Sequence, residues 1–207
     1  DCVKNGVPHD PKTCNGPHYG GTSHAGLINE KTLKTFQDMG FTYLDYGLEH
    51  WDNKILKNLG KGATAEANKR AMQLHINTGI QPVPNQIIMF PDESWDSLNT
   101  MLDAWEETGI VTSPFICTPY PGSEWYIKYK DFIVDQYGGK LESFINDLED
   151  ATKITALLTR KFTPSEAVGI QKIMSQASIS GDFDNARRLL AISKKMKESG
   201  IIEHKTS

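Results

Sequence analysis

The chain has 207 residues, a formal charge of −4 and an apolar fraction of 38%, which suits one globular domain or the larger part of one and excludes a disordered tail. Neither the charge balance nor any long Lys/Arg block offers a phosphate-neutralising surface, so no nucleic-acid partner is expected; Arg187, Arg188, Lys194, Lys195 and Lys197 read as a solvated helix face. No apolar run approaches the roughly 18 to 20 residues that span a bilayer; with no apolar signal-peptide core near Asp1, a cytoplasmic protein without a membrane span is expected.

Residues 1–26 are rich in Gly, Pro, Asn and His, lack helical or alternating period, and are expected to form an irregular linker or loop. The sequence starts at Asp1 rather than Met, which reads as a cut end. The three cysteines, Cys2, Cys14 and Cys117, show no CxxC spacing and are too few for a disulfide framework. Cys2, His9, Cys14, His18 and His24 follow the pattern C-x6-H-x4-C-x3-H-x5-H, which matches no recurrent zinc motif, so no metal ligand is assigned.

From Leu27 a rhythm sets in. Three times an amphipathic helical stretch reaches a glycine and enters a β-branched or aromatic run, at "FQDMGFTYLDY", "HINTGIQPVPNQIIMF" and "WEETGIVTSPFI". Gly40, Gly79 and Gly109 stand where a helix needs a left-handed terminating residue. Asn29, Thr64 and Ser94 are expected to cap the helices, which carry apolar stripes at Leu33/Phe36/Met39, Ala67/Ala71/Leu74 and Leu98/Met101/Leu102/Trp105. Strands are expected near 41–47, 80–90 and 111–117. Strands alternating with helices imply a parallel α/β sheet, with chemistry in the loops after the strand ends "YGLEHW", "MFPDES" and "CTPYPGSEWY".

Beyond residue 126 the pattern is helical. "LESFINDLEDATKITALL" puts Leu141, Phe144, Ile145, Leu148, Ile154 and Leu157 on one face, "TPSE" at 163–166 is a capping box, and a last helix from about Asp182 to Ser199 stops at Gly200. The domain reading is therefore 1–26 linker, 27–126 α/β barrel part, and 127–207 helical C-terminal extension.

The ordered series "YGLEH", "NKILKNLGKGATAEANKRAM", "TGIQPVPNQIIMFPDES" and "TPYPGSEWY" resembles the C-terminal half of a radical S-adenosylmethionine (SAM) enzyme barrel. It is most similar to the cobalamin-binding branch, with its Gly-x-Glu-Ser strand end, Lys-Gly-x-Thr helix start, Gly-x-Pro-x-Glu strand exit and Pro-Tyr-Pro-Gly-Thr loop. The resemblance implies a partial TIM-like (β/α) barrel with parallel strands. It also implies SAM, a 4Fe-4S cluster whose CxxxCxxC ligands are not in this chain, and a cobalamin whose domain also lies outside it. Implied partners are a small-molecule or peptide substrate and the upstream half of the same polypeptide.

Carried over by position, the resemblance puts Gly47 and Glu49 against the ribose and methionine parts of SAM. Gln86 and Ile88 would lie by the adenine, through backbone groups and apolar contact, and Tyr120 would sit in the loop near the active-site mouth. It implies no catalytic residue. Two positions depart from the family pattern: Met89 replaces the glycine before Phe-Pro, and His50 replaces the serine after the strand-end Glu. The implied function is radical chemistry on SAM, whether methyl transfer, cyclisation or related C–H functionalisation. The alternative is a degenerate, non-catalytic barrel module acting in binding or protein interaction.

Overall fold

The computed structural model describes residues 18–76, 78–150 and 156–200. Four strands, β1 (Tyr19–Ser23), β2 (Phe41–Glu49), β3 (Gln81–Ile88) and β4 (Phe115–Ile116), lie in chain order with every neighbouring pair parallel. Helices α1 (Glu30–Asp38), α2 (Asn53–Asn58), α3 (Ala65–Leu74) and α4 (Trp95–Thr108) fill the crossovers. The molecule is thus α/β with a parallel sheet, as the strand–helix rhythm implied. Among the described residues no helix is long and apolar enough to cross a membrane.

Two compact units are present, one built on residues up to Gln86 with Asp103–Thr112, the other on Ile87–Leu102 with the residues from Ser113 onward. They cut the chain differently from the sequence boundaries at 26 and 126, because β3 and α4 each run through a division.

In the first unit, β1 stands inside the segment expected to be irregular. Its sequence, Tyr-Gly-Gly-Thr-Ser, carries no alternation because β2 dictates its composition. A Cβ at Gly20 would lie 2.0 Å from the Tyr43 ring, and one at Gly21 would lie 3.0 Å from the Phe41 ring. Glycine marks a close approach here. Asn29 and Thr64 cap α1 and α3 by accepting the N–H of Thr32 and Ala67. Gly40 and Gly109 take positive φ of 88° and 64° where α1 and α4 end, whereas Gly79, at φ 69°, does not terminate α3: that helix already ends at Leu74 with His75 as its cap.

The stripe expected on α3 is displaced. Its buried residues are Asn68, Ala71 and Met72, followed by buried His75 at the cap, whereas Ala67 and Leu74 are only partly covered. Two of these core positions are polar, and each is paired with β2 or with the loop that leads into β3.

The second unit holds β4 beside the end of β3, with α5 (Glu124–Gln136), α6 (Leu141–Asp147), α7 (Pro164–Ser180) and α8 (Phe183–Glu198). The long helix expected from 141 to 157 stops at Asp147, and part of it, 151–155, lies outside the described residues. The capping box forms: Thr163 accepts the Glu166 N–H and Glu166 accepts the Thr163 N–H. Helices α7 and α8 join through Gly181 at φ 75° and bury Ile170 and Met174 with Phe183, Ala186 and Leu190. Gln171 ties α7 to the chain entering β4 by donating to the Pro114 carbonyl at 2.7 Å.

Candidate functional site

Glu49 ends β2 with φ 62°, a region where residues other than glycine are uncommon. The N–H of His50 donates to the Leu48 carbonyl at 2.8 Å, so Glu49 is the centre of a three-residue turn with positive φ, the strained kind of γ-turn. Asn68 fastens that turn from α3, its side-chain N–H groups donating to the Leu48 carbonyl at 3.0 Å and the His50 carbonyl at 3.1 Å. The His50 ring, fully buried, accepts the Asp52 N–H at Nδ1, 2.9 Å away. The departure from serine therefore places a structural loop residue after the carboxylate.

The strain puts the Glu49 carboxylate over Gly47. A Cβ at Gly47 would lie 2.8 Å from Glu49 Oε1 and 3.4 Å from Lys61 Nζ. Lys61, from the loop before α3, forms an ion pair with Glu49. The Glu49 side chain is 10% exposed and that of Lys61 48%, so a nearly buried anion is neutralised by a cation that reaches in from solvent.

Alternation separates two faces of the sheet in this unit. Leu44, Tyr46, Leu48, Pro84 and Gln86 are buried, while Tyr43, Asp45, Gly47, Val83 and Asn85 remain accessible. The buried face packs on α3, where the Tyr46 hydroxyl lies 2.7 Å from His75 Nε2 and His75 Nδ1 lies 2.8 Å from the Ile80 carbonyl. A carbonyl only accepts, so Nδ1 carries the proton and Nε2 accepts from Tyr46. Burial pushes the His75 pKa below its ordinary value, outweighing the upward pull of the Ile80 carbonyl; burial also raises that of Tyr46.

Gln86 therefore turns its side chain to the buried face, and neither amide atom finds a partner among the described residues. Only its backbone lies along the strand edge shared with Glu49. Asp45 and Asn85 share the accessible face with Gly47. Both escaped the sequence reading, although counting by two along the strands from Gly47, and across the register to Asn85, would have reached them.

In the second unit Ile88 is fully buried and Tyr120, after β4, is 62% exposed. Met89 has φ 67° and is fully buried, which accounts for a glycine at this position in the family pattern: the backbone is left-handed. The Glu93 carboxylate accepts the Met89 N–H at 2.8 Å and the Ser97 hydroxyl, and the Glu93 carbonyl accepts from Lys161 Nζ at 3.0 Å. Cys117 is buried, as expected of an inert thiol.

A buried carboxylate beside a glycine lacking a Cβ fits the hydroxyl and ammonium groups of SAM. Among the described residues no group of three His, Cys, Asp or Glu side chains is placed to hold a metal ion. Cys2, His9 and Cys14 lie outside the described residues.

The sequence model of the Radical SAM superfamily matches residues 9–104. The uncharacterized methyltransferase PH0819 of Pyrococcus horikoshii is 29% identical over 103 residues, 49% of this chain and 22% of that protein. A solved structure of the radical S-adenosylmethionine methyltransferase TsrM from Kitasatospora setae, with cobalamin and a [4Fe-4S] cluster bound, superposes with a TM-score of 0.51 at 15% identity, over 57% of this chain and 24% of that one. The cobalamin-dependent S-adenosylmethionine radical enzyme OxsB aligns at 24% identity over 58% of this chain and 19% of its own, with a TM-score of 0.40. The chain thus spans about a fifth to a quarter of the length of these relatives. The parallel sheet, the motif series and the family match over residues 9–104 agree: the chain is similar to the radical SAM superfamily, and its fold is similar to part of the TsrM structure.

Proposed function

We propose that this chain supplies SAM-binding strand ends to a radical SAM enzyme, with Glu49 as the residue that receives the cofactor's cationic and hydroxyl groups. The observation that carries the reading is the strained turn at Glu49, which holds a carboxylate at 10% exposure over Gly47 with Lys61 as its counter-ion. Strain of this kind is retained where surrounding bonds over-determine it, as Asn68 does here.

Glu49 binds and orients; Gly47 lets the ligand approach the backbone; Asn68 and His50 keep the turn from relaxing. Lys61 neutralises the carboxylate before a ligand arrives and is displaced or shared when an ammonium group takes its place. In the first unit the Gln86 backbone, in register with Glu49, is the proposed contact for a flat ring; in the second unit buried Ile88 and exposed Tyr120 are each proposed as ligand-facing positions. When bound, SAM supplies an activated methyl group and a source of radical chemistry. The cluster would be held by cysteines outside this chain.

The relatives, a methyltransferase of Pyrococcus horikoshii and the methyltransferase TsrM with cobalamin and a [4Fe-4S] cluster bound, favour methyl transfer over cyclisation. A cobalamin-using methyltransferase of a small molecule or peptide is accordingly the proposed whole. The test is anaerobic preparation from the complete reading frame, with iron, sulfide and cobalt assays, SAM titration, and detection of 5′-deoxyadenosine or S-adenosylhomocysteine. SAM binding that weakens at least about tenfold in Glu49→Gln, about 1.4 kcal/mol, supports the proposal; unchanged SAM affinity in that variant overturns the role of Glu49.

A further inference from the structure

The second unit contains a cavity of about 490 Å³ walled by Lys128, Tyr129, Asp131, Phe132, Arg160 and Lys161, with Pro91 from the loop after β3 at its edge. Small-molecule sites commonly span about 300–1,000 Å³, so this space suits an organic molecule rather than a bare ion.

Its charge is lopsided. Three cations face one carboxylate, and no ion pair joins Lys128, Asp131 or Arg160 to any opposite charge among the described residues. Lys161 spends one donor on the neutral carbonyl of Glu93, at 3.0 Å, and keeps its charge uncompensated. The Arg160 guanidinium lies 4.2 Å from the centre of the Phe132 ring. The ring face holds the cation, and no hydrogen bond engages its N–H donors among the described residues, so they are available for a forked contact to an oxyanion.

The segment that presents these cations is fastened. The Gln136 side chain pairs with the Leu157 backbone in both directions, donating to its carbonyl and accepting its N–H, each at 3.0 Å. Leu157, Leu158, Thr159 and Phe162 are buried, and Phe162 meets Trp95 edge to face. Arg160 and Lys161 thus project from a backbone with little freedom left to lose on binding.

We propose that this cavity binds an organic anion, a carboxylate or phosphate on a compact aromatic or apolar body, with Arg160 as the forked donor, Lys128 and Lys161 as supporting charges, and Tyr129 and Pro91 as the apolar wall. None of the residues assigned here is among those proposed above to meet SAM, and all belong to the second unit.

The test is titration of the purified full chain with phenyl phosphate and phenylacetate, followed by amide and Arg side-chain N–H NMR signals, with benzyl alcohol as the uncharged analogue. Saturable shifts confined to residues 128–132 and 157–161 with a Kd of about 1 mM or tighter are expected for at least one anion. Phosphate ahead of carboxylate, or the reverse, names the anion class. Arg160→Gln should weaken binding about tenfold and Arg160→Lys should restore part of it, with unchanged amide dispersion elsewhere. Benzyl alcohol binding as tightly as the anions, no saturation by about 10 mM, or equal affinity in Arg160→Gln overturns the proposal.

Discussion

The Glu93 carboxylate accepts the backbone N–H of Met89 at 2.8 Å, holding the residue that follows β3 in the left-handed region. Position 89 thus combines a backbone suited to glycine with a side chain buried in the core. Left-handed backbone costs an ordinary residue about 1–2 kcal/mol, whereas truncating a buried Met costs about 2–5 kcal/mol. Both Met89→Ala and Met89→Gly should therefore destabilise, with Met89→Gly more stable than Met89→Ala by about 1 kcal/mol, reversing the usual order. Urea unfolding of the two variants checks this; Ala at or above Gly would contradict it.

Asn68 plays for Glu49 the part that Glu93 plays for Met89. Replacing it with Ala removes the side-chain donor from both the Leu48 and His50 carbonyls, leaving Leu48 the His50 N–H, and should cost about 1–3 kcal/mol. Asn68→Asp should be worse than Asn68→Ala, because a carboxylate would face two carbonyl oxygens with nothing to donate. Thermal unfolding of the pair reads the order directly.

Gly47→Ala is expected to separate stability from binding. The added Cβ meets the end of the Glu49 side chain at 2.8 Å, and a flexible carboxylate gives way cheaply. Stability should change by less than about 1 kcal/mol, while SAM affinity drops because the carboxylate is displaced from its place over residue 47. Calorimetric SAM titration beside a melting curve distinguishes this from general loss of fold.

Acid should weaken the first unit through His75. Burial lowers its pKa in the folded chain, and the unfolded chain takes up the proton near pH 6.5. The stability of the neutral Tyr46–His75 pair is therefore fully present above about pH 6.5 and is lost as pH falls below it. A His75→Gln variant should be less stable at pH 8 and show a flatter pH slope from about 7 to 5 in chemical denaturation.

Glu166 imposes a second, lower window. Burial pushes its pKa up, but Lys197 at 2.7 and 2.9 Å and the Thr163 N–H at 2.6 Å outweigh burial, and the net shift is below the ordinary 4.5. The stability this provides is present above 4.5 and disappears as pH falls through the folded value. Lys197→Met should cost about 1–3 kcal/mol at neutral pH and flatten that acid limb; an unaltered limb would assign it to other carboxylates.

Local chemistry made the helix ends and three strands legible. The glycines at 40 and 109, the caps at Asn29 and Thr64 and the box at Thr163 and Glu166 each satisfy backbone groups within a few residues of themselves. Strand β1 was illegible because Gly20 and Gly21 answer to rings some twenty residues away rather than to their own neighbours. Asn68 and His75 were missed because an apolar pattern passes over polar residues whose burial depends on bonds to a distant strand and to a neighbouring loop. The motif singled out Glu49 and Gly47, but the left-handed turn and the partnership with Lys61 arise only when α3 is docked. The face to which Gln86 turns likewise follows from strand register.

A sheet whose strands lie in the order β1-β2-β3-β4 needs no strand to be inserted between two already paired. Each new strand adds to the edge left by the one before, so pairing can proceed in step with synthesis from the ribosome, one crossover at a time. Glu49 would then acquire its turn as soon as α3 has emerged, ahead of β3 and everything that follows it.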